Sequence, residues 1–463
     1  MLKESESAND TLLSIFISLK KYLENRFQKC RSALFTPIDN SQLILFRIVF
    51  GILISWHCIQ CIMNEWVRRN FILPTYTFSH IGMEWLQPLP GEGMHYYFYF
   101  MALLGVFISI GLFYRWSLGL FTLLWAGAYF MQKTAYNNHH YLLLLVCIIM
   151  LFLPANASHS VDARRNPDIR SNTVPSWCIW VMILQIAIVY FFATVAKLYS
   201  GWLDGSFTKG MLHKNAIPLL ENLYNQQWFY LFIAYAGILF DLLIVPALLW
   251  HKTRKYAFMA SLFFHLFNKL HLGIGIFPFM ALSFSIFFFP PETIRKLFFR
   301  NRTAVEKTPL KPDYGRKMVL YFFIPFFIFQ VLCPLRHWVI KGDVLWTEEG
   351  HRLSWRMMLR NRSGYTKFLV VNNETGRQHY FKLKKLLTKK QIRGMQTKPD
   401  MIWQTAQKIK EHYQLKGKKV SIYIDSKVAI NKKQLRRLID PNVDFAKAEW
   451  NYFSHNEWIL LYD

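Results

Sequence analysis

Three groups of polar residues lie where this chain is otherwise apolar, and each could do chemistry. The first is Tyr136-Asn-Asn138-His139-His140, preceded by Lys133, at the entrance to an apolar run. The second is Lys197, which closes another run. The third is His265 with Asn268, and His271 six residues on. Ionisable groups within membrane-length segments are costly and rare, so each is a functional candidate. A lysine kept in an apolar pocket loses stability as a cation and becomes a neutral amine able to take a proton. A lysine at a helix end also commonly snorkels to the headgroups, and a histidine in the place of His139 can serve as a cap or packing residue. Both readings stay open at this level. Paired metal ligands need spacings of three or four residues to share a helix face. His139 and His140 adjoin, and His265 and His271 stand about 240° apart on a helix, so no metal site is expected. His265 and Asn268 do share a face, suited to hydrogen-bonding a buried polar ligand.

These residues are carried by apolar blocks long enough to cross a bilayer as helices. Of 463 residues 53% are hydrophobic and 17% aromatic, which excludes a disordered chain, a coiled coil and a disulfide-stapled module. About nine spans are expected: Ser41 to Met63, His95 to Phe113, Trp116 to Met131, His139 to Pro154, Pro175 to Lys197, Trp228 to Trp250, Tyr256 to His271, Leu272 to Phe289 and Lys317 to Pro334. Gly273, Gly275 and Pro278 give the seventh the option of a short helix that turns back. Basic residues concentrate in alternate loops, which places the N-terminus in the cytoplasm and everything after about residue 337 outside. The expected domains are therefore a juxtamembrane segment 1–40, amphipathic from Leu13 to Phe27, a multi-span α-helical bundle 41–336, and an extracytoplasmic β-rich domain 337–463.

The outer domain alternates polar and apolar residues at Tyr365 to Asn372 and Val420 to Asp425, and has helical spacing at Met401 to Tyr413. This suggests an α+β or sandwich-like fold. Its charge is about +14, 26 basic against 12 acidic residues from Arg336 onward, which suits either anionic headgroups or an acidic polypeptide. All six cysteines lie in or beside the spans, so the outer domain carries no disulfide. Cys58 and Cys61 are expected to pack in the core. No phosphate-binding glycine loop, nucleophile elbow or zinc pattern occurs, and no nucleic-acid partner is expected because the basic residues follow membrane topology.

Several stretches carry a resemblance. Lys133-Thr-Ala-Tyr-Asn-Asn-His139, Val161-Asp162, Tyr190 to Gly205, Phe264-His-Leu-Phe-Asn268, Gly273-Ile-Gly-Ile-Phe-Pro278, Trp346 to Met358 and Asp440-Pro-Asn-Val-Asp444 through Trp450 resemble the vitamin K-dependent γ-glutamyl carboxylase family. That family shares its membrane part with the horizontally transferred transmembrane proteins. The resemblance implies a reaction using vitamin K hydroquinone (phylloquinol or menaquinol), O2 and CO2, with no metal. A lysine deprotonates the hydroquinone, oxygen adds, and the resulting alkoxide removes a γ-proton from a substrate Glu. The carbanion then captures CO2 and the quinone leaves as its epoxide. In the matching motif the lysine is Lys197, with Ala196 in place of the first lysine of the family's pair, and His139 matches the histidine that handles the glutamyl carbanion. Asn138, His265, Asn268 and Arg47 are the expected quinone-binding residues. Trp346, Trp355, Met357, Met358 and Arg362 are those expected near the glutamyl substrate. The implied partners are a Glu-containing protein or peptide and membrane lipid. The competing readings are quinone epoxidation without carboxylation, and a non-catalytic quinone or lipid binder or transporter. This chain lacks the cysteines that tie the vertebrate members' luminal domain to the membrane part.

Overall fold

The computed structural model describes residues 20–462 apart from 23, 27, 30, 215–219, 273, 274, 303–314, 358, 359 and 432. Most of the expected amphipathic segment Leu13 to Phe27, together with Met358, Gly273 and Cys30, therefore lies outside the described residues. A short strand β1 (Pro37–Asp39) pairs antiparallel with β2 (Thr173–Pro175) and clips the starts of two long helices together. Asp39 Oδ1 accepts the Ser41 backbone N–H at 2.8 Å and so supplies the cap of the first.

The helices of the membrane part are α1 (Ser41–Met63), α2 (Gly93–Ile110), α3 (Tyr114–Phe130), α4 (Asn138–Phe152), α5 (Trp177–Lys197), α6 (Gln227–Leu249), α7 (Arg254–Leu272), α8 (Phe277–Phe284), α9 (Pro291–Phe298) and α10 (Arg316–Trp338). A helix stands at each of the nine expected segments. Five of them (α1, α2, α5, α6 and α10) are long and apolar enough to cross a bilayer, or six if the bent pair Phe277–Phe288 and Pro291–Phe298 is one span. The remainder fall short for visible reasons. At 17 and 15 residues α3 and α4 reach only about 22–26 Å, and α7 contains Arg254, Lys255 and Lys269. The turn-back expected at the seventh segment falls at residues 273 and 274, outside the described residues; a separate bend of 113° follows the eighth segment, at Pro290 and Pro291.

Close approach of α1 and α2 rests on small residues. A Cβ on Gly51 would lie 2.4 Å from Ser109 N, and one on Gly105 2.8 Å from Ser55 N. The outward face of α2 leaves Tyr96, Phe100, Leu103, Val106 and Ile110 exposed, as a lipid-facing helix does.

The C-terminal domain is α+β with a single sheet among the described residues, so the second layer of a sandwich is not found there. Its order is β4 (Gln378–Tyr380), β3 (Arg362–Asn372), β5 (Val420–Ile430), β6 (Arg436–Arg437), all antiparallel. β3 and β5 pair from Arg362↔Ile430 to Asn372↔Val420. Strand periodicity turns Phe368, Val370, Ile422, Ile424 and Val428 to one face, where they pack on Met401, Ile402 and Ile409 of α12 (Pro399–Gln414). A short helix, α11 (Lys389–Met395), precedes α12 and starts in a capping box between Thr388 and Gln391. Phe78, from the loop between α1 and α2, is buried in this second core, so the two parts are packed together.

Candidate functional site

The Lys197 side chain is buried within the helices. Its residue is 5% exposed, and Nζ pairs with Asp241 Oδ2 on α6, itself 4% exposed. Gly237, one helical turn before Asp241, faces the same lysine stem: a Cβ there would stand 3.8 Å from Lys197 Cε, an ordinary contact distance. Nζ also lies 5.5 Å from the centroid of the Trp202 ring, whose Nε1 donates to Ala234 O at 2.9 Å. A buried ion pair persists only when each charge has its partner, so the pair fixes the lysine in place.

Lys197 and Asp241 line one cavity of about 1180 Å³, and the same cavity is lined by Asn138, His139 and His140 at the start of α4. Asn137 caps that helix by accepting the His139 N–H at 3.3 Å. The Tyr136 hydroxyl donates to Asn138 Oδ1 at 2.8 Å and accepts the Leu353 N–H at 2.9 Å, while Asn138 Nδ2 donates to Arg356 O at 2.8 Å. Behind His139, the ring of His140 lies 4.6 Å away centroid to centroid, and His57 follows at 5.2 Å. Trp355 and Met357 of the C-terminal domain complete the wall. Leu353 and Trp355 adopt φ of 61° and 53°, left-handed values that non-glycine residues take only where their surroundings impose them.

The loop carrying Tyr136 to His139 is tied to the C-terminal domain by buried charge. Lys133 Nζ and Arg352 Nη1 each contact Asp400 Oδ2 at 2.6 Å. Burial alone would raise the Asp400 carboxyl, but Arg352 and Lys133 outweigh it and hold it well below the usual carboxylate range. Burial pushes the Lys133 ammonium down to about 8 against the pull of Asp400.

Other expected site residues are distributed unevenly. Asn268 lines the cavity, whereas His265 stands behind its wall, with Nε2 2.9 Å from the Tyr190 hydroxyl and Nδ1 without a partner among the described residues. Arg47 is remote from the cavity: its guanidinium donates to His159 O at 2.6 Å beside Gly111. Through that bond it braces the loop after α4. Trp346 and Arg362 also lie outside the cavity. Trp346 fills the second core, and Arg362 donates to Leu345 O, Trp346 O and Thr397 O at 2.5, 2.8 and 2.7 Å while facing Glu348 at 3.6 Å. Met358 lies outside the described residues. Asp241 is the residue that sequence reasoning passed over. Its signal was available, as a lone carboxylate in an apolar run of span length.

The walls suit an amphipathic ring compound. Phe232, Phe240, Phe263, Phe264 and Phe267 line the cavity, and Trp56, Phe232 and Phe263 are 55%, 61% and 74% exposed on the lipid-facing side. Among the described residues no cluster of His, Cys, Asp and Glu could hold a metal ion.

Residues 35–292 match the HTTM domain family, and residues 315–463 match the luminal domain of the vitamin K-dependent gamma-carboxylases. The chain belongs to the vitamin K-dependent γ-carboxylase family. It is accordingly an integral membrane protein with a luminal domain, and the C-terminal α+β unit is that domain. No solved structure matches the chain.

Proposed function

We propose that this protein is a γ-glutamyl carboxylase that converts Glu to γ-carboxyglutamate in a peptide while oxidising vitamin K hydroquinone to its epoxide with O2 and CO2. One observation supports it above the rest: a single cavity is lined by both Lys197 and His139, together with Trp355 and Met357 of the luminal domain. Reduced vitamin K supplies, through its reaction with O2, the base strong enough to take a γ-proton from a glutamyl side chain. The protein's own residues hold and screen. Asp241 anchors Lys197 Nζ; the lysine acts as a base in its neutral amine form, and once it has taken a proton the Asp241 carboxylate balances the charge, which leaves no net charge in the apolar site. Asn138, fixed by Tyr136 and Arg356 O, sets the start of α4 and thereby the ring of His139 next to the glutamyl carbon. Trp355 and Met357 keep water from the luminal side, which would quench so strong a base. The quinone enters from lipid past Trp56, Phe232 and Phe263. Asn268 lines the quinone end, and His265 acts on it through Tyr190. In this reading the nine apolar segments all lie in the membrane part, the shorter ones packed among the five or six that cross in full, with a cytoplasmic N-terminus; its domains are 1–40, 41–336 and 337–463, and its physiological substrate is a Glu-containing protein.

Purified protein in detergent, given hydroquinone, O2, labelled CO2 and a Glu-containing peptide, tests this directly. Wild type is expected to yield labelled peptide and epoxide. Lys197→Ala is expected to lose both by about 10²–10⁴-fold, and Lys252→Ala, on an exposed loop, neither. Lys133→Ala is no neutral control, because Lys133 anchors the loop that carries His139. Epoxide without label would leave a quinone epoxidase; neither product from folded wild type would leave a quinone or lipid binder.

A further inference from the structure

Besides Lys197, three cations line the cavity, and among the described residues none has a carboxylate partner: Lys269 on α7 lies over the Phe279 ring, while Arg69 and Lys390, both exposed at the mouth, come from the two different domains. Arg69 stands on the π-turn Arg68–Ile72 that follows α1, and Lys390 on α11. Arg69 donates to backbone oxygens alone, Glu65 O at 3.1 Å and Asn64 O. Lys390 Nζ donates to Asn70 Oδ1 at 2.7 Å. Asn70 is 1% exposed and fixed on both sides, its Nδ2 donating to Trp66 O and its carbonyl accepting from Gln132 Nε2, each at 2.7 Å. The helix that brings Lys390 here is docked too: Gln391 Nε2 donates to Tyr76 O at 2.8 Å, and Gly394 packs on Thr134. Burial lowers the Lys390 ammonium, and the charge of Arg69 lowers it further. Two like charges brought to one wall by two different domains repel each other, and an anion between them removes that cost.

We infer that Arg69 and Lys390 form a subsite for a second carboxylate of the peptide, an acidic side chain near the glutamate that reaches His139. The inference rests on the carboxylase reading. It favours a peptide over a lipid headgroup because Lys390 belongs to the luminal domain, and its helix packs through Gly394 on Thr134, in the loop that carries Asn137, Asn138 and His139 to the same cavity. The protein would then prefer glutamates in acidic clusters, through electrostatic complementarity at the rim.

The test uses the full chain in nanodiscs of zwitterionic lipid and peptides with one Glu, alone or with one Asp placed one to four residues to either side. Asp keeps the reacting site single. For at least one spacing, wild type is expected to show a KM about three- to tenfold lower for the diacidic peptide. Arg69→Gln with Lys390→Gln is expected to bring that ratio to about one, and the charge-keeping pair Arg69→Lys with Lys390→Arg to retain it, which separates charge from folding. Equal KM values for every peptide in wild type overturn the subsite and leave the carboxylase reading intact. So does a ratio unchanged in the neutral variant, or a KM that follows the anionic lipid content of the disc. Carboxylation of no peptide by folded wild type overturns the carboxylase reading, and the subsite with it.

Discussion

Asp241 and Lys197 are a pair whose members cannot be removed singly without leaving a buried charge. Asp241→Asn is expected to destabilise the membrane part by about 3–5 kcal/mol, read as a fall in the thermal unfolding midpoint in nanodiscs, and to lower epoxide formation with carboxylation. Asp241→Leu combined with Lys197→Met removes both charges, and should recover most of the stability and none of the activity. A double variant as unstable as the single one would show that the pair itself, and not its unpaired remnant, supports the fold. Asp400 is the corresponding residue at the domain junction. Its folded pKa is depressed below the unfolded value of 3.8, so its contribution is complete above about pH 4 and is lost as pH falls through the folded value. Hydrogen exchange in residues 132–138 is expected to rise in that acid window, and Asp400→Asn to show the raised exchange at neutral pH as well.

At the scale of elements, the loop from Lys133 to Asn138 works as a buckle. Tyr136→Phe deletes one hydroxyl that both donates to Asn138 and accepts from Leu353. It should cost about 1–3 kcal/mol through the N–H it strands and lower kcat more than KM for the peptide, because Asn138 is displaced and the cavity walls are kept. An unchanged kcat would mean that Asn138 holds its place through Arg356 alone. In the membrane helices, Gly105→Val drives a side chain into Ser55 and should reduce folded yield, whereas Gly210→Val, with open space around it, should not. The positions of these helices were legible in the sequence because apolar runs and their breaks are local properties. The strands Arg362–Asn372 and Val420–Ile430 and the helix Pro399–Gln414 were legible for the same reason, by alternation and by 3.6-residue spacing. Which segments span, where the chain bends, and that one sheet rather than two forms the outer domain depend on tertiary packing that no local pattern encodes.

Over the whole molecule, the shared cavity of Lys197 and His139 fits their positions at the ends of two apolar runs, yet the partner of Lys197, Asp241, was not foreshadowed, since 44 residues separate the two members of the ion pair. Arg47, Trp346 and Arg362 show the reverse: matched motifs placed them near the chemistry, and their contacts brace loops and the outer core. The domains are joined by Lys133, Arg352 and Asp400, by Lys390 on Asn70 and by the insertion of Phe78; the cysteines among the described residues are all free. Reducing agent is therefore expected to leave folding and activity unchanged, as unfolding with and without thiol would show. The position of Trp355 and Met357 along the chain has a consequence for biosynthesis. A ribosome threads the helices bearing Lys197 and His139 into the bilayer before the residues that cap their shared chamber have been made. Under the carboxylase reading, the half-built protein holds an open chamber, and it becomes active only when its last domain has folded against the membrane helices.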